Sequence, residues 1–127
     1  MALNKIVWIA PLVVIGYDVV ASVASLLLGF RYAYAGIGSA IIYGMAGFFV
    51  ARQSSLATTL VVGLAAGFSD ATVGWGISWA IGPGRAKNGS LSMSQWWFAA
   101  ISVTAFAVIC AFVGSLIARL LQSRGIA

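Results

Sequence analysis

LATTLVVGLAAGFSDATVGWGISWAI, Leu56 to Ile81, is long enough, apolar enough and uncharged enough to cross a bilayer, with one exception near its middle, Asp70. A carboxylate at that depth costs at least a few kcal/mol even on lenient insertion scales. Gly63, Gly67, Asp70 and Gly74 follow helical spacing and so share one face. A glycine-lined face is where another helix backbone can come close. The acid is therefore expected in a helix–helix seam, turned away from lipid.

The rest of the chain has the same character. Of its 127 residues 62% are hydrophobic and 7% charged, and the mean hydropathy is +1.06. A soluble domain of this size cannot bury so much apolar surface, so lipid is expected to solvate the outer face. Seven basic residues stand against two acids, a net charge of +5. The basic residues are scattered at span ends and form no stripe, which argues against nucleic acid as a partner and for contacts with lipid headgroups.

Four spans are predicted, at about 6–30, 32–51, 56–81 and 96–121, each near the roughly 20 residues that a bilayer requires. The expected fold is an all-α integral membrane protein, a single four-helix domain. Met1 to Lys5 followed by an apolar run resembles a signal peptide. Asp18 would interrupt its core, however, and the apolar run continues to Phe30, so it reads as a first span, with Pro11 in its opening turns. Gly29-Phe30-Arg31 and Arg52 to Ser55 make tight turns, which force neighbouring helices to be antiparallel. Gly82-Pro83-Gly84 stops the third span, and Arg85 to Gln95 forms a polar loop with a turn at Asn88-Gly89. Asn88-Gly89-Ser90 also matches a glycosylation sequon. Trp8, Trp96 and Trp97 mark membrane surfaces.

The two halves resemble each other. IIYGMAGFFVARQ (Ile41 to Gln53) aligns without gaps on VICAFVGSLIARL (Val108 to Leu120), placing Gly47 on Gly114 and Ala51-Arg52 on Ala118-Arg119. Aligning the first and third spans places Asp18 on Asp70 and Ser22 on Gly74. A duplicated two-helix hairpin is the expected origin, with its pseudo-symmetry axis along the membrane normal.

Asp18 and Asp70 are the residues expected to carry chemistry, because intramembrane acids are functional suspects by default. Asp18 shares its face with Ala21, Ser22, Ser25 and Gly29. The nearest base in sequence, Arg31, lies roughly 20 Å away along a helix. Without such a base, either at least one carboxyl is neutral or a cation sits between them. In the structural alternative each acid only hydrogen-bonds across a seam, with Ser22, Tyr43, Ser69 or Thr72 as partner. Trp75 and Trp79, one turn apart, line a cation–π pocket or anchor the interface. Gly36, Gly44 and Gly47, with Gly63, Gly67 and Gly74, are expected to pack helices within the chain or in a homo-oligomer.

No histidine is present, which removes the commonest general base and metal ligand. The single cysteine, Cys110, lies in an apolar run and reads as a packing residue. No phosphate-cradling loop, metal spacing or nucleophile–base pair occurs. Neither an enzyme nor a cofactor is expected.

In size, span count and the acid midway along its first span, the chain resembles the small multidrug resistance transporters. That resemblance implies proton exchange against a cation at Asp18, although the acid there is Asp where that family uses Glu, and Asp70 has no counterpart. The chain shares its span count with small dual-topology fluoride channels but lacks their asparagine and phenylalanine pattern. SDATVGWGISWAIGPGR, Ser69 to Arg85, is similar to stretches of small bacterial membrane proteins, implying a bacterial inner-membrane location. Two functions are expected as alternatives. One is a transporter or channel subunit handling protons or small cations. The other is a non-catalytic subunit or scaffold that docks a larger membrane partner through its glycine faces.

Lys5, Arg52, Arg119 and Arg124 fall on one side of the predicted spans, and Arg31, Arg85 and Lys87 on the other. The excess predicts that both termini face the cytoplasm. Reporter fusions at Ala127 check this. Signal from periplasm-dependent reporters alone would refute it, and equal signal from both kinds would indicate dual topology.

Overall fold

The computed structural model describes residues 3–83 and 91–126. The sequon at Asn88-Gly89-Ser90, its turn, and Arg85 and Lys87 lie outside them. The chain is all-helical, with four stretches long and apolar enough to cross a membrane: Val7–Leu28, Tyr32–Ala51, Leu56–Ile81 and Met93–Ser123. Large apolar side chains line the outside, among them Trp8, Leu27, Ile37, Phe68 and Phe98, all more than half exposed.

Helix α1 is Leu3–Leu28. It ends before Phe30 because Gly29 takes φ 73°, a left-handed turn that glycine adopts without a Cβ penalty. The Gly29 N–H donates to the Ser25 carbonyl at 3.0 Å, and the Ser25 hydroxyl donates to the Phe30 carbonyl at 2.8 Å. Because α1 already begins at Leu3, Pro11 lies inside the helix and not in its opening turns. A 3-10 turn, Tyr32–Tyr34, leads into α2, Ala35–Ala51.

Helix α3, Leu56–Ser69, starts at Ser55, whose hydroxyl accepts from the Thr58 N–H at 3.2 Å. The third span is not one continuous α-helix. Asp70–Gly74 forms a π turn, followed by α4, Trp75–Ile81. Gly82, at φ 130°, ends it. Helix α5, Met93–Ser123, begins earlier than the predicted 96, because Ser92 and Gln95 form a capping box. The Gln95 N–H donates to the Ser92 hydroxyl at 3.3 Å, and the Ser92 N–H to Gln95 Oε1 at 2.9 Å.

Helix α5 packs along both α2 and α3, and α1 packs mainly on the broken third span; among the described residues, α1 and α5 do not approach each other. The α2–α5 seam is backbone against backbone. A Cβ on Gly47 would collide with the Ala111 carbonyl, and one on Gly114 would collide with the Gly44 carbonyl. Gly63 and Gly67 seat α3 on α5, where added Cβ atoms would lie 2.9 Å from Ala111 Cβ and 2.6 Å from Ala107 Cβ. Gly74 instead faces Asp18 of α1. The single face expected for Gly63, Gly67, Asp70 and Gly74 is thus divided between two seams. The π turn accounts for this, since it holds more residues per turn and so lags behind the α-helical register. Gly36 is exposed and a Cβ there would meet nothing within 4 Å, so it packs no helix within this chain. Gly44 has room for a Cβ, 3.8 Å from the Cys110 carbonyl.

Gly114→Ala is expected to destabilise the protein by about 1–3 kcal/mol through overpacking. Gly36→Ala should be neutral or stabilise by up to about 1 kcal/mol through helix propensity. Thermal or denaturant unfolding of the purified variants in detergent checks both.

Candidate functional site

Asp18 stands near the middle of α1 and Asp70 opens the π turn, so the two acids come from non-adjacent segments. The structure brings them together. A Cβ on Gly74 would collide with Asp18 Oδ2 and lie 3.2 Å from Asp70 Oδ1, so both carboxyls rest over the same glycine. Asp18 is 2% exposed, whereas Asp70 is half-buried. Among the described residues no basic side chain pairs with either.

Tyrosines supply the donors. The Tyr43 hydroxyl, from the buried middle of α2, donates to Asp70 Oδ2. The Tyr32 hydroxyl, from the 3-10 turn, donates to Asp18 Oδ1 at 3.4 Å. A third tyrosine, Tyr17, takes no part in this pairing and donates to the Ala35 carbonyl at 2.7 Å, tying α1 to the start of α2.

The carboxyls line a cavity of about 220 Å³ whose wall includes Tyr32, Tyr43, Trp75 and Phe106. Its shape follows from the α2–α5 seam. The close contacts at Gly44, Gly47, Ala111 and Gly114 lie in the C-terminal halves of the two helices. Their N-terminal halves contribute the cavity walls, Ala35, Gly36 and Ser39 on one side and Ala99, Val103 and Phe106 on the other. Trp75 packs against Trp96 with ring centroids 4.2 Å apart, and Trp79 against Trp96 at 5.3 Å. The tryptophans thus join α4 to the start of α5.

Of the residues singled out in the sequence, Asp18, Asp70, Tyr43, Gly74 and Trp75 meet at this site. Ser22 is buried one turn beyond Asp18, and its hydroxyl has no hydrogen-bond partner. Thr72 is turned elsewhere: its hydroxyl donates to the Phe68 carbonyl at 2.6 Å, within its own helix. Tyr32 and Ser78 were not anticipated. Ser78 is four residues past Gly74, and that spacing would have flagged it. Tyr32 carries no such signal, because the 3-10 turn that aims it is not readable from periodicity. The site offers two carboxyls, phenolic and alcoholic hydroxyls and aromatic faces. Its donors are all oxygens, which are hard ligands; among the described residues no cluster of three or more His, Cys, Asp or Glu occurs.

Tyr43→Phe is expected to leave an Asp70 oxygen without its donor. A double-mutant cycle of Tyr43→Phe with Asp70→Asn should show a coupling of about 0.6–1.7 kcal/mol, the range for hydrogen bonds between helices in lipid. Additive effects would mean that the contact does not contribute to stability.

Comparison with protein families, with curated proteins and with solved structures finds no match to this chain.

Proposed function

We propose that this chain is an integral membrane protein that handles protons or small cations at the Asp18–Asp70 pair, as a small transporter or channel subunit. The observation that carries this reading is that the two acids meet at the wall of a cavity of about 220 Å³. A purely structural pair of acids gains nothing from such a cavity. A proton or cation carrier needs one, because the ion must reach the carboxyls. The apolar outer surface supports membrane embedding, since exposed apolar area on this scale calls for lipid or a partner.

The alternative, a scaffold that docks a larger membrane partner through glycine faces, draws less support. Gly47, Gly63, Gly67, Gly74 and Gly114 are engaged within the chain, while Gly16, Gly36 and Gly76 have open space around them.

Origin by hairpin duplication belongs to the same proposal. Under the sequence alignment Gly47 corresponds to Gly114 and Gly44 to Ala111. The contacts Gly47–Ala111 and Gly114–Gly44 are therefore the same contact made twice, as a pseudo-two-fold axis between α2 and α5 requires. The meeting of Asp18 with Asp70 at one depth agrees. The α1–α5 gap has no counterpart in the α2–α3 contact, so any such symmetry has decayed at the periphery. A bacterial inner-membrane setting, cytoplasmic termini and a homo-oligomeric state complete the proposal.

Purified protein in liposomes tests the reading. Wild type should dissipate an imposed proton or cation gradient, and Asp18→Asn or Asp70→Asn should reduce the flux to that of protein-free liposomes. Both variants should remain folded by gel filtration. Undiminished flux in both variants would refute the role of the acids.

A further inference from the structure

Hydroxyls on these helices mostly return to the backbone. Those of Ser102, Thr104 and Ser115 donate to the carbonyls of Phe98, Ala100 and Phe112, each at 2.7 Å. Ser22 and Ser78 break the pattern. Both are 0% exposed, and neither hydroxyl has a hydrogen-bond partner; the third buried oxygen in this condition is Asp18 Oδ2. A buried polar group left unpaired costs about 1–3 kcal/mol, so three such atoms call for an explanation.

They belong to one place. Ser22 is one turn beyond Asp18 on α1. Ser78 is one turn beyond Gly74, over which Asp18 Oδ2 lies. The Tyr32 hydroxyl is within reach of Ser22, Ser78 and Asp18 together. Its single proton goes to Asp18 Oδ1, and the serine protons can turn to the Tyr32 oxygen only outside normal hydrogen-bond geometry, which leaves the lone pairs of both serines and Asp18 Oδ2 without a donor.

We propose that Asp18 Oδ2, Ser22 Oγ and Ser78 Oγ, closed over by the Tyr32 hydroxyl, form a binding site for a dehydrated alkali cation. This deepens the proposed function by naming its ion, and it rests on that reading only for transport, not for binding. The donor set selects the ion. All donors are oxygens, with no thiol or imidazole, which disfavours soft and transition metals. Magnesium keeps several waters and calcium takes 6–8 oxygens; three oxygens on residues at most 2% exposed, with the half-buried Tyr32 hydroxyl as a fourth, suit neither. One carboxylate balances one monovalent charge, and the hydroxyl oxygens replace part of the hydration shell. A buried water is the competing occupant, since it too joins unpaired polar groups.

Labelled aspartate reports the Asp18–Asp70 pair alone, because these are the two acids of the chain, and the serine variants assign the response to the Asp18 side. Protein carrying carbon-13 aspartate, in nanodiscs, would be studied by infrared difference spectroscopy between sodium chloride and N-methylglucamine chloride. Saturable sodium-induced shifts of the labelled carboxylate bands are expected. Ser22→Ala and Ser78→Ala should each raise the sodium concentration at half-saturation at least about tenfold, equivalent to 1.4 kcal/mol. Thr72→Ala, whose hydroxyl is used within its own helix, should leave it unchanged. Wild-type bands that do not respond to sodium would overturn the proposal and leave a buried water in the pocket; that result needs no variant to fold. A response to calcium at lower concentration than to sodium would overturn it in favour of a divalent site. Liposome flux separates the two claims. Acid-dependent proton flux without a sodium response refutes the sodium site and leaves proton handling intact. A sodium response without flux refutes transport and leaves the site intact.

Discussion

Two carboxyl groups share the space above Gly74 in an interior otherwise made of small and apolar side chains, and no base lies beside them. Much of the central packing can be traced to that constraint. At Gly74 an added Cβ would displace the Asp18 carboxyl. Tyr43 is buried at the middle of α2, where its hydroxyl donates to Asp70. The π turn at Asp70–Gly74 belongs to the same solution. It re-aims the third span so that Gly63 and Gly67 serve α5 while Gly74 serves α1. Inserted turns of this kind are common at functional sites because they redirect a side chain without ending the helix.

The second constraint is the α2–α5 seam. Residues without side chains let the two backbones touch at Gly47–Ala111 and Gly44–Gly114, and dispersion between close-packed backbones replaces the interdigitation of larger side chains. The cavity lies toward the other ends of the two helices, lined by Ala35, Gly36 and Ser39 of α2 and by Ala99, Val103 and Phe106 of α5. Its carboxyls come from α1 and the third span, so neither hairpin alone would build it.

Much of this is written in the sequence, though unevenly. The four spans are legible because hydropathy is a sum over about 20 residues and tolerates local error. The acids are legible because a charge in an apolar run stands out, and their pairing is suggested by the alignment of Asp18 with Asp70. The π turn is not legible, since DATVG carries no proline and its one glycine is one of several along the span. Gly36 shares helical spacing with Gly44 and Gly47, but spacing cannot tell that a Cβ there would meet open space at the cavity wall. Helix α5 starts at Met93, ahead of the tryptophan pair that marks the edge of the predicted span, and Ser92 and Gln95 have the capping-box spacing. Tyr32 fell at a predicted span edge, where aromatic residues ordinarily read as interface anchors. Only the 3-10 turn makes it a partner of Asp18.

The seam also bears on which helix movements the packing allows. A face of glycines invites the idea of helices sliding past one another. Here, however, Gly47 and Gly114 each meet a carbonyl of the opposite helix, so a slide of one residue would bring a side chain against that carbonyl. Close packing of this kind fixes register and resists translation. Rotation about the seam is a different matter. It preserves the backbone contacts at Gly44, Gly47, Ala111 and Gly114 and changes the separation of Gly36 and Ser39 from Val103 and Phe106, which line the cavity. The tryptophan cluster couples that separation to the broken span, since Trp96 at the start of α5 is packed on Trp75 and Trp79 of α4. The α5 wall of the cavity and the segment that carries Ser78 are therefore tied through one cluster of rings.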